Sequence, residues 1–271
     1  MVQFKEFMEK IVLVTGSGSG IGRGVAIAFA KEGANIVVND VNYEAASSVA
    51  QEIKDMGRKS LAVKCDVSNS HEVSQMFDQI VKQFGTLHIL INSAGVTGVV
   101  ALMEETLEEE FDRTMDINVK GVFLCSKAAV PLMKKNKYGK IVNISSTAGK
   151  RMSSGGGGDY ATSKAAVLSL TRTFAYELAP YGINVNAICP GRTITPLLAK
   201  AIDTPEHKER LKRIPLGRYA APEDQANAII LLCSDRASYI VGQHVDVDGG
   251  VLLGWTDFES YKETHKRRKM P

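Results

Sequence analysis

The sequence is sparing in cysteine and histidine, and neither residue type forms a recognisable cluster. Its 271 residues contain five histidines without metal-ligand spacing and four cysteines without a CxxC pair. These absences argue against a disulfide framework and against a metal site. The cysteines lie far apart, at Cys65, Cys125, Cys189 and Cys233. We therefore predict buried free thiols in a reducing compartment.

Long apolar runs, a charge excess and a hydrolase motif are also missing. No window approaches about 18 uncharged apolar residues, and no signal-peptide core precedes the first apolar run, so we predict no membrane span and a cytoplasmic location. The 33 basic residues nearly balance the 30 acidic ones, and the basic segment at 265–269 is short. Nucleic acid and anionic membranes are therefore not expected partners. The absence of a G-x-S-x-G elbow disfavours a hydrolase.

What the chain does contain is a regular alternation of short apolar runs with amphipathic helical patterns. One such pattern joins Ile21, Val25 and Phe29 and stops at Gly33. The alternation predicts βαβ units, and the continuous apolar runs predict a parallel sheet covered by helices on both faces. We therefore predict an α/β fold, a single Rossmann-type doubly wound domain over residues 1–254. The expected strands lie at 11–15, 35–39, 60–64, 87–92, 140–145, 183–188 and near 244–247.

A C-terminal extension over residues 255–271 follows this domain. Trp255, Phe258 and Tyr261 recur every three to four residues, a spacing that predicts a helical aromatic stripe. Such a stripe needs a surface to pack on. Both its own domain and a neighbouring subunit could supply that surface.

A glycine-rich turn, TGSGSGIG at 15–22, links the first strand to the first helix. The strict GxGxxG spacing is absent, and Gly16, Gly20 and Gly22 instead follow a TGxxxGxG pattern. Glycine permits positive φ and close approach of the backbone to a pyrophosphate, and the helix N-terminus attracts phosphate. We predict a dinucleotide site here, with Ser19 and Ile21 of the same turn among its contacts.

Asp40 closes the second predicted strand, 18 residues after Gly22. A carboxylate there can accept hydrogen bonds from ribose hydroxyls and would repel a 2′-phosphate. No arginine or lysine occupies Ser19, Val41 or Asn42 to attract that phosphate, so the pattern predicts NAD as the cofactor. A turn or N-cap role for Asp40 is compatible with ribose binding.

Further cofactor contacts are expected at the carboxyl ends of the third and fourth strands. Asp66 can reach the adenine edge with Val67 beside it. The fourth strand ends in NSAG, where ligands bind in open α/β sheets. This adds Asn92, Ala94 and Gly95 to the predicted contacts.

Six motifs in order resemble the short-chain dehydrogenase/reductase family, over about Glu9 to Leu253. Ser93 departs from the family pattern by replacing an asparagine. Chance agreement of six ordered motifs is very improbable. The motifs are TGSGSGIG at 15–22, NSAG at 92–95, NVKG at 118–121, ISS at 144–146, YATSK at 160–164 and PGRTIT at 190–195.

The resemblance implies a catalytic tetrad of Asn118, Ser146, Tyr160 and Lys164. It also implies a homotetramer formed partly through the helix that carries Tyr160. Two residues could take the position of the catalytic serine. Ser146 preserves the match to the ISS motif but lies one residue farther from Tyr160 than is usual in the family. Thr147 has the usual spacing but does not preserve the match. The nicotinamide contacts that the resemblance implies are Tyr160, Lys164, Pro190, Gly191, Thr193 and Thr195.

The chemistry explains why these residue types are needed. A tyrosine has a pKa of roughly 10, too high for an efficient base near neutrality. Lys164 lies one helical turn from Tyr160, and its charge is expected to lower that pKa. Ser146 would position the substrate oxygen, and the resemblance gives Asn118 a water that links Lys164 to solvent.

Substrate specificity is expected from the loops at 96–103, 147–159 and 192–215. Arg192 follows the PG of the last motif, and Lys150 and Arg151 follow the catalytic serine. We hypothesise that one of these cations meets an acidic group on the substrate, against the alternative of a solvated or interface charge. The predicted substrate contacts are Ser146, Ala148, Arg151, Tyr160 and Arg192.

These observations predict an oxidoreductase that uses NAD and a small secondary alcohol or ketone. A 3-oxoacyl-thioester reductase is a narrower alternative, but that role usually goes with NADPH, which Asp40 disfavours. A nucleotide-binding regulatory protein without catalysis is a third alternative. The complete tetrad argues against it.

Overall fold

The computed structural model describes residues 6–152, 156–194, 204–254 and 256–266. Within these ranges seven parallel strands form one sheet in the order β3-β2-β1-β4-β5-β6-β7. The predicted doubly wound α/β class is thereby confirmed. The strands are β1 Ile11–Val14, β2 Asn35–Asp40, β3 Ser60–Lys64, β4 Ile89–Asn92, β5 Gly139–Ile144, β6 Ile183–Pro190 and β7 His244–Val247.

Helices cover both faces of the sheet. A π-helical segment of five residues, Asp116–Lys120, joins α4 to α5. Segments of π-helix are rare in proteins, and those that occur are often found at functional sites. The helices are α1 Gly20–Lys31, α2 Tyr43–Asp55, α3 Ser70–Phe84, α4 Glu108–Met115, α5 Gly121–Asn136, α6 Gly158–Leu178, α7 Pro205–Lys212, α8 Pro222–Cys233 and α9 Phe258–Thr264. No described helix is long and apolar enough to cross a membrane.

Each central strand is buried on both faces because successive side chains point in opposite directions. Val12 and Val14 of β1 enter the core under α1, α2 and α8, whereas Leu13 enters the core under α3 and α5. Such strands must be apolar throughout, which is why they were recognisable as continuous runs. All four cysteines are buried with free thiols, as predicted.

The strand order places a crevice where the winding reverses. β1 pairs with β2 on one side and with β4 on the other, so the connections that leave their carboxyl ends diverge. Ligands of open parallel sheets bind at this point. The glycine turn after β1 and the NSAG segment after β4 both open onto it.

The described part of the C-terminal extension forms the short helix α9. Its rings stack on one another, with centroids 6.4 Å apart for Phe258 and Tyr261 and 4.0 Å apart for Tyr261 and His265. Phe258 and Tyr261 nonetheless remain about half exposed. The helical stripe is present at these two residues, and Trp255 lies outside the described residues.

Candidate active site

A cleft of about 430 Å³ lies at the carboxyl ends of β1, β2 and β4. The turn after β1 is tied to the end of β4, because the amides of Ser93 and Ala94 donate to Thr15 Oγ1 at 3.0 and 3.1 Å. Gly16 has a φ of +60°, and a Cβ there would lie 2.6 Å from the Ala94 Cα. Only glycine allows this approach. The predicted contacts that line the cleft are Gly16, Ser19, Asp40, Asp66, Val67, Ala94 and Gly95.

The first turn of α1 begins directly after Ser19, which lines this cleft. Gly20, Ile21 and Gly22 form that turn, and no side chain caps it at Ser19. A Cβ on Gly22 would collide with the carbonyl oxygen of Gly16. The uncapped amides and the positive end of the helix dipole therefore suit a phosphate group.

The Asp40 carboxylate is fixed by backbone on both sides. Its Oδ2 accepts a hydrogen bond from the Gly18 amide at 2.9 Å, and its Oδ1 accepts one from the Asn42 amide at 3.0 Å. Asn42, rather than Asp40, caps α2 by accepting from the Ala45 amide. Each carboxylate oxygen has a second lone pair, so ribose hydroxyls can still bind.

Asn39 and Arg113 are among the cleft residues that the sequence-based prediction missed. Asn39 is buried, and its Nδ2 donates to the carbonyl oxygens of Val63 and Cys65 at 3.3 and 3.1 Å. Its Oδ1 has no partner among the described residues, which suits the amino group of a base. A polar residue inside an apolar strand was the available signal. Arg113 on α4 also lines the cleft, and nothing in the local sequence marked it.

Asn92, a predicted cofactor contact, is not among the residues that line this cleft. Its Nδ2 donates to Asn143 Oδ1 at 2.8 Å and to Ser126 Oγ at 3.1 Å, and the residue is buried. The side chain therefore joins β4 to β5 and α5. Its neighbour Ser93 faces the cleft instead.

Tyr160 and Lys164 lie on the first turns of α6. The Lys164 Nζ is 5.6 Å from the centre of the Tyr160 ring and donates to the Ile144 carbonyl at 2.9 Å. Burial lowers the pKa of Lys164 to about 8. Burial also raises the pKa of Tyr160, and a hydrogen bond with Ser146 opposes that rise. The structure therefore does not show the lowered Tyr160 pKa that we expected from Lys164, because burial of the phenol raises this pKa.

Ser146, rather than Ser145, is the serine placed at Tyr160. The Ser145 hydroxyl is buried and donates to the Lys164 carbonyl at 2.8 Å. Ser146 ends β5 in an extended conformation, and its Oγ accepts from the Ala148 amide at 3.1 Å. The Ser146 hydroxyl keeps its proton available for a substrate oxygen or for Tyr160.

The Asn118 side chain is held by hydrogen bonds to the loop after β4 and to α6. It accepts from the Val96 amide at 2.8 Å and donates to the Val96 carbonyl and to Ser163 Oγ, each at 2.9 Å. A Cβ on Gly95 would lie 3.0 Å from Asn118 Oδ1 and 3.4 Å from Lys164 Nζ. The π-helical segment thus holds the loop after β4 against α6, beside Lys164.

Asp159, next to Tyr160, is a buried carboxylate that sequence reasoning missed. Thr114 Oγ1 donates to its Oδ2 at 2.6 Å, and its Oδ1 has no partner among the described residues. The residue lies in the first turn of α6, where the helix dipole favours negative charge. The side chain ties α4 to the helix that carries the tyrosine.

The residues expected at the nicotinamide follow β6. Gly191 donates its amide to the Val247 carbonyl at 3.0 Å, and a Cβ there would lie 2.8 Å from the Asp248 Cα. Pro190 ends the strand, and Thr193 Oγ1 accepts from Gln225 Nε2 at 3.2 Å. Thr195 lies outside the described residues.

Similarity to known proteins shows which family this chain belongs to. A family model described as enoyl-(acyl carrier protein) reductase matches residues 16–252. A 3-oxoacyl-[acyl-carrier-protein] reductase FabG of Staphylococcus aureus is 40% identical over 247 residues, 91% of this chain and 99% of that protein. The chain belongs to the short-chain dehydrogenase/reductase family.

Other members of the short-chain dehydrogenase/reductase family agree in sequence and fold. An uncharacterized oxidoreductase of Thermotoga maritima is 43% identical over 90% of this chain and 98% of its own. A 7α-hydroxysteroid dehydrogenase complexed with NADH and 7-oxo glycochenodeoxycholic acid has a TM-score of 0.85 at 36% identity, over 91% of this chain and 96% of that one. A putative gluconate dehydrogenase of Agrobacterium tumefaciens has a TM-score of 0.88 at 32% identity, over 93% and 99%.

Beside the short-chain dehydrogenase/reductase motifs lies a second cavity of about 160 Å³, here called the arginine cavity. Its walls include Thr147 and Ala148, directly after Ser146. Lys150 is not part of the wall, because it forms an ion pair with Asp246 at 2.5 Å. The arginines that line the cavity are Arg151, Arg192, Arg210 and Arg213. The last two come from α7 and its end, a basic stretch whose position the sequence did not reveal.

Proposed function

We propose that this protein transfers a hydride between NAD and a secondary alcohol or ketone, with Tyr160 as the general base or acid. The proposal rests on one observation above all. Tyr160 lies with Ser146 and Lys164 at the same sheet edge as a cleft of about 430 Å³ that carries Asp40. The cofactor supplies the hydride acceptor or donor when it is bound.

The proton must move separately from the hydride, and the chain has groups for this. Ser146 holds the substrate oxygen beside the phenol and hydrogen-bonds to Tyr160. Tyr160 takes the proton during oxidation and returns it during reduction. Lys164 has a pKa of about 8, so it can hold or release a proton near neutral pH one helical turn away.

Asp40 supports NAD over NADP. A fixed carboxylate next to the adenosine ribose accepts hydroxyl hydrogen bonds and repels a 2′-phosphate. The 7α-hydroxysteroid dehydrogenase of similar fold was solved with NADH. Arg113 also lines the cleft, so the cofactor choice should be measured with an Arg113 variant beside the Asp40 variant.

A second candidate is 3-oxoacyl-thioester reduction. It is favoured by relatives about 40% identical that are named 3-oxoacyl-[acyl-carrier-protein] reductase. Turnover of acetoacetyl-coenzyme A with NADPH, exceeding turnover of simple alcohols with NAD, would select this candidate. The same cleft and the same tyrosine would serve it.

We further propose a cytoplasmic homotetramer assembled partly through α6. Tyr176 on that helix is 86% exposed, and a groove lined by Val119, Phe123 and Leu170 runs between α5 and α6. Exposed apolar surface of this kind marks protein contacts.

The first test is NADH formation across secondary alcohols, polyols, hydroxy acids and hydroxy sulfonates. Wild-type protein should turn over at least one class, and Tyr160→Phe should lose nearly all activity while still binding NADH. Turnover that survives Tyr160→Phe would refute the assignment of the general base.

A further inference from the structure

The glycine run before α6, defined here as Gly156, Gly157 and Gly158, is packed closely against its neighbours. A Cβ on Gly156 would lie 2.7 Å from Cδ1 of the Tyr160 ring, and a Cβ on Gly158 would collide with the sulfur atom of Met103. A side chain at either position would need space that these neighbouring side chains occupy. The run therefore allows the loop after β4 to lie directly against the first turn of α6.

Gly157 connects the glycine run to the backbone of the loop after β4, defined here as residues 96–103. Its amide donates a hydrogen bond to the Thr97 carbonyl oxygen at 3.3 Å. A Cβ on Gly157 would collide with the Val99 carbonyl oxygen and with Oδ1 of Asp159. The loop, the glycine run and the Asp159 side chain therefore meet at this residue.

The carboxyl group of Asp159 lies between two glycines. The residue is fully buried, and Thr114 Oγ1 donates to its Oδ2 at 2.6 Å. A Cβ on Gly98, whose φ is +68°, would collide with both carboxyl oxygens. A hydrogen atom on the Cα of Gly98 and another on the Cα of Gly157 therefore point at the carboxyl group, and such Cα–H groups are weak donors. These contacts account for Oδ1, which has no other partner among the described residues.

A buried carboxyl group with so few partners costs free energy. None of the ion pairs between described residues includes Asp159. An apolar side chain of similar size can join packed elements without this cost. The carboxyl group beside the tyrosine therefore indicates a requirement other than stability.

A member of the predicted tetrad holds the same loop two residues earlier. Asn118 accepts from the Val96 amide at 2.8 Å and donates to the Val96 carbonyl oxygen at 2.9 Å. Asp159 contacts Gly98. The two side chains therefore hold one short stretch of the loop from both ends, beside the helix that carries Tyr160.

We propose that Asp159 is a positioning residue for the reaction, which fixes the distance between residues 96–98 and the phenol of Tyr160. Residues 96–103 form one of the loops expected to contact the substrate, and Asp159 directly precedes Tyr160 on α6. A substrate held by this loop would present its reacting carbon at a constant distance from the group that takes its proton. The inference rests on the proposed function and adds a residue to it.

The test uses two variants that disturb this joint in different ways. Asp159→Ala removes the carboxyl group, and Gly157→Ala places a methyl group where it collides with Asp159 and with the Val99 carbonyl. Each is measured at saturating NAD, with the alcohol of the panel above that wild-type protein oxidises fastest. We expect kcat to fall by about tenfold to a hundredfold, because a small misplacement of reacting groups has effects of that size. The KM for NAD and the affinity for NADH should stay close to their wild-type values, since neither residue lines the cofactor cleft.

Two matched controls should leave kcat unchanged. Asp78→Ala alters an exposed aspartate on α3, and Gly254→Ala adds a Cβ that has no neighbour closer than 3.8 Å. Amide hydrogen exchange gives a readout that is independent of turnover. The amides of Val96 and Gly157, both hydrogen-bonded in this joint, should exchange faster in Asp159→Ala than in Asp78→Ala.

An unchanged kcat in both joint variants, or exchange rates at the two amides that match the wild type, would refute the positioning role. Equal losses of kcat and of NADH affinity would also refute it, since Asp159 would then support the fold as a whole. Faster exchange in a protein that oxidises no alcohol of the panel would retain the joint and reject the proposed function.

Discussion

At the scale of single residues, Asp40 and Lys164 owe their behaviour to what surrounds them. The carboxylate of Asp40 is held by two backbone amides, and the ammonium of Lys164 is buried against one carbonyl. The first arrangement fixes a negative charge at the cofactor cleft. The second makes a positive charge expensive. Each arrangement leads to a measurable prediction.

Asp40→Ala combined with Val41→Arg should move cofactor preference toward NADP. Val41 is exposed and lines the cleft, so an arginine there can meet a 2′-phosphate without disturbing the core. The ratio of kcat/KM for NAD to that for NADP should fall at least about a hundredfold, because a repulsion is removed and an ion pair is gained. Arg113→Ala serves as the comparison. A wild-type protein that already prefers NADP would show that Asp40 does not set the choice.

Lys164 should make stability depend on alkaline pH. Its folded pKa of about 8 lies below the unfolded value of roughly 10.4, so between these values the unfolded chain binds more protons. The stability of wild-type protein relative to Lys164→Met should therefore rise as pH increases from 8 to about 10.4, by up to ~3 kcal/mol. Urea unfolding without cofactor measures this difference, with Lys82→Met at an exposed site as the control. A flat difference would mean that the folded Lys164 titrates as it does in the unfolded chain.

Sequence alone predicts Tyr160 and Lys164 as a pair because residues four apart share a helix face. It could not give the burial that shifts both pKa values, since burial depends on chain segments packed from elsewhere. Arg210 and Arg213 illustrate the same limit. Their local sequence is that of an ordinary basic helix, and only folding brings them beside Ala148.

At the scale of elements, a buried hydrogen bond from Thr114 to Asp159 joins α4 to α6 beside the tyrosine. Thr114→Val keeps the shape of the side chain but leaves the Asp159 carboxylate without its hydrogen bond. The free energy of unfolding should fall by ~1–3 kcal/mol, and kcat should fall because α6 carries Tyr160. Thermal unfolding and steady-state kinetics check both effects. Thr173→Val on the exposed face of α6 is the control, and equal losses in the two variants would contradict the claim.

The limits of a strand could be predicted from the sequence where the strand begins and ends with the apolar run that marks it. The segment 60–64 was predicted as found, while β4 begins two residues later than expected, at Ile89, and β6 continues to Pro190. Strand pairing sets these limits, and pairing depends on the neighbouring strand. Nothing in the sequence marked the π-helical segment at Asp116–Lys120. Its hydrogen-bond pattern depends on how α4 and α5 pack in the folded protein.

At the scale of the whole molecule, the exposed apolar surface on α5 and α6 predicts assembly. Tyr176→Glu should shift the protein from a tetramer to smaller species, because it places a charge in the proposed interface. Sedimentation velocity measures the change, with Arg236→Ala as the control. A wild-type protein that sediments as a monomer would disprove the proposed assembly. The doubly wound class was predictable from the strand–helix alternation, but the strand order required the structure.

The two cavities draw on separate stretches of the chain. The described walls of the cofactor cleft lie within residues 16–117, those of the arginine cavity lie within residues 147–251, and no residue belongs to both. The choice between NAD and NADP that we propose for Asp40 could therefore be inherited separately from the walls of the arginine cavity. Recombination of two related genes between β4 and β5 would pair one parent's nucleotide preference with the other parent's substrate in a single step. Lineages that share this architecture can thus acquire new metabolic roles while keeping the redox pool on which they draw.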